Sequence, residues 1–123
     1  MDRLLYLCAG IGGFVGVAMG VLAAHALKGK LAPDMLDVFD IATRYHMYHV
    51  FAICAAAWAC ARWQRKIFGV AGWLFVAGIV IFCGSLYVLA LTGERWLGAI
   101  TPMGGLAFLA GWSCLAIGAV RAR

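Results

Sequence analysis

Charged positions in this chain come in short clusters, and four long stretches between them carry no charge at all. These stretches are Leu4–Leu27, Tyr45–Ala61, Ile67–Gly93 and Trp96–Val120. A helix needs about 20 apolar residues to cross roughly 30 Å of hydrocarbon, with about 17–25 tolerated. The first, third and fourth stretches meet this easily. The second, bracketed by Arg44 and Arg62, is the shortest and should cross with little tilt. Lipid offers a backbone amide no partner, so each stretch is expected to be a helix. The reading is one all-α domain, residues 1–123. It is a membrane protein of four transmembrane helices (spans about 4–27, 45–61, 67–93 and 96–120) in an antiparallel bundle.

Residues 28–44 form the one sizeable polar segment. Pro33 suits a first helical position and Asp34 a first turn, where the helix dipole favours acid. At 100° per residue Asp34, Asp37, Asp40 and Arg44 share one face, while Met35, Leu36, Val38, Phe39 and Ala42 share the other. The pattern predicts a short amphipathic interfacial helix between helices 1 and 2, a cuff over the bundle end or a lid over a site. Asp40 and Arg44 stand i, i+4 for a weak surface pair.

Composition supports the spans. Hydrophobic residues make up 66% and charged residues 12%, against roughly 45–50% and about 25% in a soluble domain. That excludes a water-soluble monomer and a disordered chain. Arg3, Arg62, Arg65, Lys66, Arg121 and Arg123 fall on one side of the membrane, Lys28, Lys30, Arg44 and Arg95 on the other. By the positive-inside rule both termini are cytoplasmic, in the cell inner (plasma) membrane. Trp63, Trp73 and Trp96 stand near span ends, as interfacial aromatics should. The net charge of +5 comes from flanking residues, so no nucleic-acid partner is implied. Ala24-His25-Ala26 has the form of a signal-peptide cleavage site, but the apolar stretch before it exceeds a usual signal core, so an uncleaved span is expected.

Lipid supplies little drive for helices to associate, so small residues matter at their contacts. Span one carries a Gly12–Gly16–Gly20 ladder continued by Ala23. Span two carries Tyr45, His49, Ala52, Ala56 and Ala59 on one stripe. Span three offers Ala71, Gly78, Ser85 and Thr92, and span four Gly104, Ala107, Gly111, Cys114 and Gly118. These faces should pack the bundle, with some left for another subunit. Pro102 is expected to loosen or kink the start of span four, with Thr101 helping to satisfy freed backbone groups. The two halves show no repeat of the kind that builds inverted-repeat transporters.

Few polar groups lie at membrane depth. His25 ends span one, and His46 and His49 open span two, so all three are expected near the non-cytoplasmic interface. His49 shares the small-residue stripe with Tyr45 and should point inward. Such histidines pin helices by hydrogen bonds, or else bind a metal, haem or small molecule. The candidate set is His25, Tyr45 and His49, with no catalytic residue, metal ligand set or cofactor assigned. Cys8, Cys54, Cys60, Cys83 and Cys114 lie inside spans without a C-x-x-C pair and read as packing residues. Glu94 sits in a solvated turn, Ser85 and Ser113 lack an acid–base partner, and the glycines of span one follow no strand.

Four ordered motifs add a resemblance. They are Ala24-His25-Ala26-Leu27-Lys28, Tyr45-x-x-x-His49, Phe82-Cys83-Gly84-Ser85-Leu86-Tyr87, and Thr101-Pro102-Met103-Gly104-Gly105 leading to Leu109-Ala110-Gly111-Trp112. Together they resemble the domain of unknown function 423 family, small bacterial inner-membrane proteins with eukaryotic relatives. The resemblance implies four spans and no established catalytic activity. His25, Tyr45 and His49 match its motifs and His46 does not. Ser85 and Tyr87 match as well, and reach the histidines only if span three brings Tyr87 to them. The function expected is non-enzymatic, through packing with itself as a homo-oligomer, with the lipid bilayer, or with a larger membrane complex. A transporter or channel would need a pore shared by several copies.

Overall fold

The first apolar stretch winds into α1 (Asp2–His25) in the computed structural model, which describes residues 1–122. The chain then turns through a short link in which Gly29 adopts φ 84, a left-handed conformation that costs a glycine little. Pro33 opens α2 (Pro33–Trp63), with Asp34 in its first turn as its dipole favours.

The separate interfacial helix does not form. Residues 33–63 are one unbroken helix of 31 residues that carries both the amphipathic segment and the second apolar stretch. The reason is local: between Asp34 and Trp63 there is neither glycine nor proline, and a break would orphan backbone groups that continuation satisfies. The amphipathic division itself is as expected. Phe39 and Ala42 are fully buried, whereas Asp34, Asp37, Asp40 and Arg44 are exposed. Arg44 meets Asp40 at 2.9 Å on the surface, where such a pair contributes little. Phe39 packs on Tyr87, ring centroids 5.0 Å apart. The segment thus extends the core upward instead of lying across it.

Gln64, in the left-handed region at φ 51, caps α2 by donating its N–H to the Cys60 carbonyl. The third stretch is a rod of α3 (Lys66–Gly78), a π-helical turn at Ile79–Cys83 and α4 (Gly84–Thr92). A 3-10 turn, Arg95–Ala99, precedes α5 (Thr101–Arg121). Pro102 kinks nothing: it occupies the first turn of α5, where its missing N–H would be unpaired anyway. Among the described residues there is no strand. Three stretches, Asp2–His25, Lys66–Thr92 and Arg95–Arg121, are long and apolar enough to cross a membrane. α2 falls outside that set because Tyr45, His46, Tyr48 and His49 dilute its apolar half.

α2 and the α3–α4 rod form the centre, with α1 laid on α2 and α5 on the rod. The glycine ladders set both outer contacts. Gly12, Gly16 and Gly20 face Val50, Met47 with His46, and Thr43 in turn, an antiparallel register that makes this ladder an internal contact. On the other side Gly104, Gly111 and Gly118 receive Phe82, Phe75 and Phe68, and Gly78 receives Phe108 in return. The Phe75, Phe68 and Phe108 rings fill the space a Cβ would take, and at Gly104 the backbone of Phe82 itself does, so the helices approach closely as small residues allow in lipid.

Gly104 and Gly10 should therefore respond oppositely to alanine. A Cβ at Gly104 would run into the Phe82 backbone and lie 2.8 Å from its Cα, while at Gly10 nothing lies within 4 Å. Gly104→Ala should cost about 1–3 kcal/mol by overpacking. Gly10→Ala should be neutral or stabilise by up to about 1 kcal/mol through helix propensity. Thermal unfolding of both variants in detergent checks the signs.

Candidate functional site

The polar side chains of the core converge on α2, one turn apart. His46 is 3% exposed. Its Nε2 lies 2.7 Å from the Gly12 carbonyl of α1, and its Nδ1 lies 2.9 Å from the Tyr87 hydroxyl of α4. A carbonyl only accepts, so Nε2 carries the hydrogen, and Nδ1 is left to accept from the phenol. One imidazole thereby joins three helices. The approach depends on Gly16, where a Cβ would lie 3.3 Å from His46 Cδ2 and collide with Met47 Sδ.

His49, 5% exposed, is bound the opposite way round. Nδ1 donates to the Tyr45 carbonyl, 2.7 Å away and one turn back. Nε2 accepts from the indole N–H of Trp112 on α5 at 3.1 Å. An indole N–H only donates, so the hydrogen on this ring is on Nδ1. The ring stacks on Phe108 with centroids 3.6 Å apart and planes 11° apart, and Phe75 borders it at 5.7 Å.

Tyr45 joins this site through its backbone. Its ring is 42% exposed and packs against Phe82 at 5.1 Å. His25 does not join. It ends α1 on an exposed surface, and Gly12 lies about 20 Å along the helix from it at 1.5 Å per residue. The expected histidine end therefore resolves into an exposed His25 and two buried histidines level with the middle of α1. His46, set aside on motif grounds, is the residue that joins most helices. The signal for it was present: it stands three before His49, and a face of α2 that meets a glycine ladder needs a partner for any polar atom it buries.

A third polar contact supports the α4–α5 end. Ser85 donates to the Phe82 carbonyl at 2.9 Å, and its oxygen lies 2.7 Å from the Thr101 hydroxyl. Thr101 also donates to the Leu97 carbonyl at 3.3 Å, which already accepts the Ile100 N–H. Among the described residues, no buried side-chain nitrogen or oxygen lacks a hydrogen-bond partner.

Two grooves flank α2. One of about 550 Å³ runs between α2 and α5, with Tyr45, His49, Phe82 and Trp112 on its walls. The other, about 280 Å³, lies between α1 and α3 above His46 and Gly12. Both are walled almost entirely by apolar side chains. All four imidazole nitrogens are engaged, so ligation of a metal or haem iron through either ring would first break a helix–helix hydrogen bond. The five cysteines are free thiols.

The family described as "Protein of unknown function (DUF423)" matches residues 19–105, which include Tyr45, His46, His49 and Tyr87. The chain belongs to this family. Relatives in DUF423 extend over nearly the whole chain. The UPF0382 membrane protein YwdK of Bacillus subtilis is 37% identical over 97% of this chain and 98% of its own length. The UPF0382 inner membrane protein YgdD of Escherichia coli is 35% identical, covering 98% and 92%. The UPF0382 membrane protein SH2409 of Staphylococcus haemolyticus is 44% identical over 84% of each. No solved structure matches. The resemblance seen in the motifs is thus membership of a membrane-protein family, and the family's name specifies no activity.

Removing the phenol donor should weaken the His46 contact without touching packing. Tyr87→Phe should lower stability in detergent by about 0.6 kcal/mol, up to roughly 1.7. Tyr6→Phe, on the exposed face of α1, should leave it unchanged. Equal effects would contradict the assignment.

Proposed function

We propose that this DUF423 protein is a non-enzymatic, four-span protein of the inner membrane that acts through packing with itself, with lipid or within a larger membrane complex. The observation that carries the reading is the consumption of the core polar groups. Each imidazole nitrogen of His46 and His49 bonds another backbone or side-chain group of the chain, which suits a rigid packing unit and leaves no free base or ligand atom on the buried rings.

Four spans follow if α2 crosses with the others. At 1.5 Å per residue its 31 residues reach about 46 Å, well beyond roughly 30 Å of hydrocarbon. Its histidines and tyrosines are tolerable there because His46 and His49 are turned inward and paired, as polar groups in membranes must be. α2 is also the central helix, and its neighbours shield much of its length from lipid. Arg3, Arg62, Arg65, Lys66 and Arg121 mark the cytoplasmic end, which holds both termini.

A protein labelled through single cysteines, with its native ones replaced, tests the topology. Lys30→Cys should react from outside intact cells and Gln64→Cys only after permeabilisation. The rival reading, a metal, haem or small-molecule site, is tested in the same preparation. Protein purified in mild detergent should carry neither a Soret band nor stoichiometric metal, and His49→Ala should chiefly lower its unfolding temperature. A bound chromophore or metal lost in His49→Ala while the fold persists would overturn the packing reading.

A further inference from the structure

The charges of the chain are divided unequally between its two ends. Around the 26–32 link and the α4–α5 turn, Lys28, Lys30, Arg44 and Arg95 are matched by Asp34, Asp37, Asp40 and Glu94. At the other end Arg3, Arg62, Arg65, Lys66 and Arg121 stand with a single carboxylate, Asp2. Among the described residues the net positive charge therefore resides at one end, while the other is balanced. Among the described residues, Arg44 is the one basic side chain with an ion-pair partner, and it lies at the balanced end.

The excess is shaped into a pocket. The tight Gln64–Arg65 link between α2 and α3 stands against the start of α1, where Met1 packs over Gly69. Asp2, Gln64, Arg65 and Lys66 surround an opening of about 410 Å³, with Cys60 and Ala61 of α2 as its apolar wall. Gln64, Arg65 and Lys66 are exposed. Asp2 lies 3.7 Å from the main-chain amine of Met1, so its charge is already opposed.

We infer that this pocket holds the headgroup of an anionic phospholipid. The inference rests on the membrane-spanning reading and adds to it a lipid class and a place. Charge complementarity selects the partner: two free cations and an amide suit a phosphodiester, and basic pockets between helices on the cytoplasmic side bind such headgroups. The apolar wall of α2 continues beside them, where the upper part of an acyl chain would lie. A zwitterionic lipid brings its own cation into the same place and is disfavoured.

Native mass spectrometry of the full chain in mild detergent, titrated with phosphatidylglycerol or phosphatidylcholine, tests this. Phosphatidylglycerol should be retained preferentially. Arg65→Gln with Lys66→Gln should weaken its retention about thirtyfold. Lys28→Gln with Lys30→Gln, the same charge change at the opposite end, should leave it unchanged. Excess inorganic phosphate should not displace the lipid. Equal retention of the two lipids, equal loss in both double variants, or displacement by phosphate would overturn the assignment. Failure of the spanning reading is distinguishable: Lys30→Cys and Gln64→Cys would then label alike in vesicles, whereas a spanning chain without this site keeps its one-sided labelling and loses only the lipid preference.

Discussion

His46 and His49 stand one turn apart on the same helix and carry their hydrogens on opposite nitrogens. This pairing is the constraint to which the surrounding helices are fitted. His46 must give a hydrogen to Gly12 and accept one from Tyr87. His49 must give to Tyr45 and accept from Trp112. The His46 bonds form only when α1 and α4 stand at one register against α2, and the Trp112 bond only when α5 does. In lipid the alternative partner, water, is missing. The polar groups therefore specify an arrangement that dispersion alone, nearly equal for helix and acyl chain, would leave loosely chosen.

The small residues make that arrangement reachable. Gly12 and Gly16 let α2 approach closely enough for His46 to touch the backbone of α1. Gly104, Gly111 and Gly118 seat three phenylalanines of the third rod, which holds α5 where Trp112 reaches His49. The π turn at Ile79–Cys83 lies between the part of the rod that packs on α5 and the part that aims Tyr87 at His46. A π turn inserts a residue and shifts the phase of the helix beyond it, and such turns are often placed near functional groups.

Much of this was legible in the chain. Charge-free length marked, to within a few residues, the three helices long and apolar enough to cross a membrane, and the Gly12–Gly20 and Gly104–Gly118 ladders were visible as periodic small residues. What those ladders faced was not, because the facing residue comes from another helix and is set by register. The pairing of these glycines with Phe82, Phe75 and Phe68 is therefore visible only in the fold. The amphipathic connector showed its buried face but not its continuity with the next stretch, since hydropathy changes at Tyr45 while helix propensity does not. The importance of His46 was hidden because a motif compares types of residue and a hydrogen bond depends on place. His25 shows the reverse, a motif residue that the fold leaves exposed.

The most direct test is the ¹⁵N chemical shifts of the two imidazoles in labelled protein held in a bilayer. The account predicts His46 as the Nε2–H tautomer and His49 as the Nδ1–H tautomer, each a single, slowly exchanging species. The reversed assignment, or rings that interconvert freely between tautomers, would contradict it.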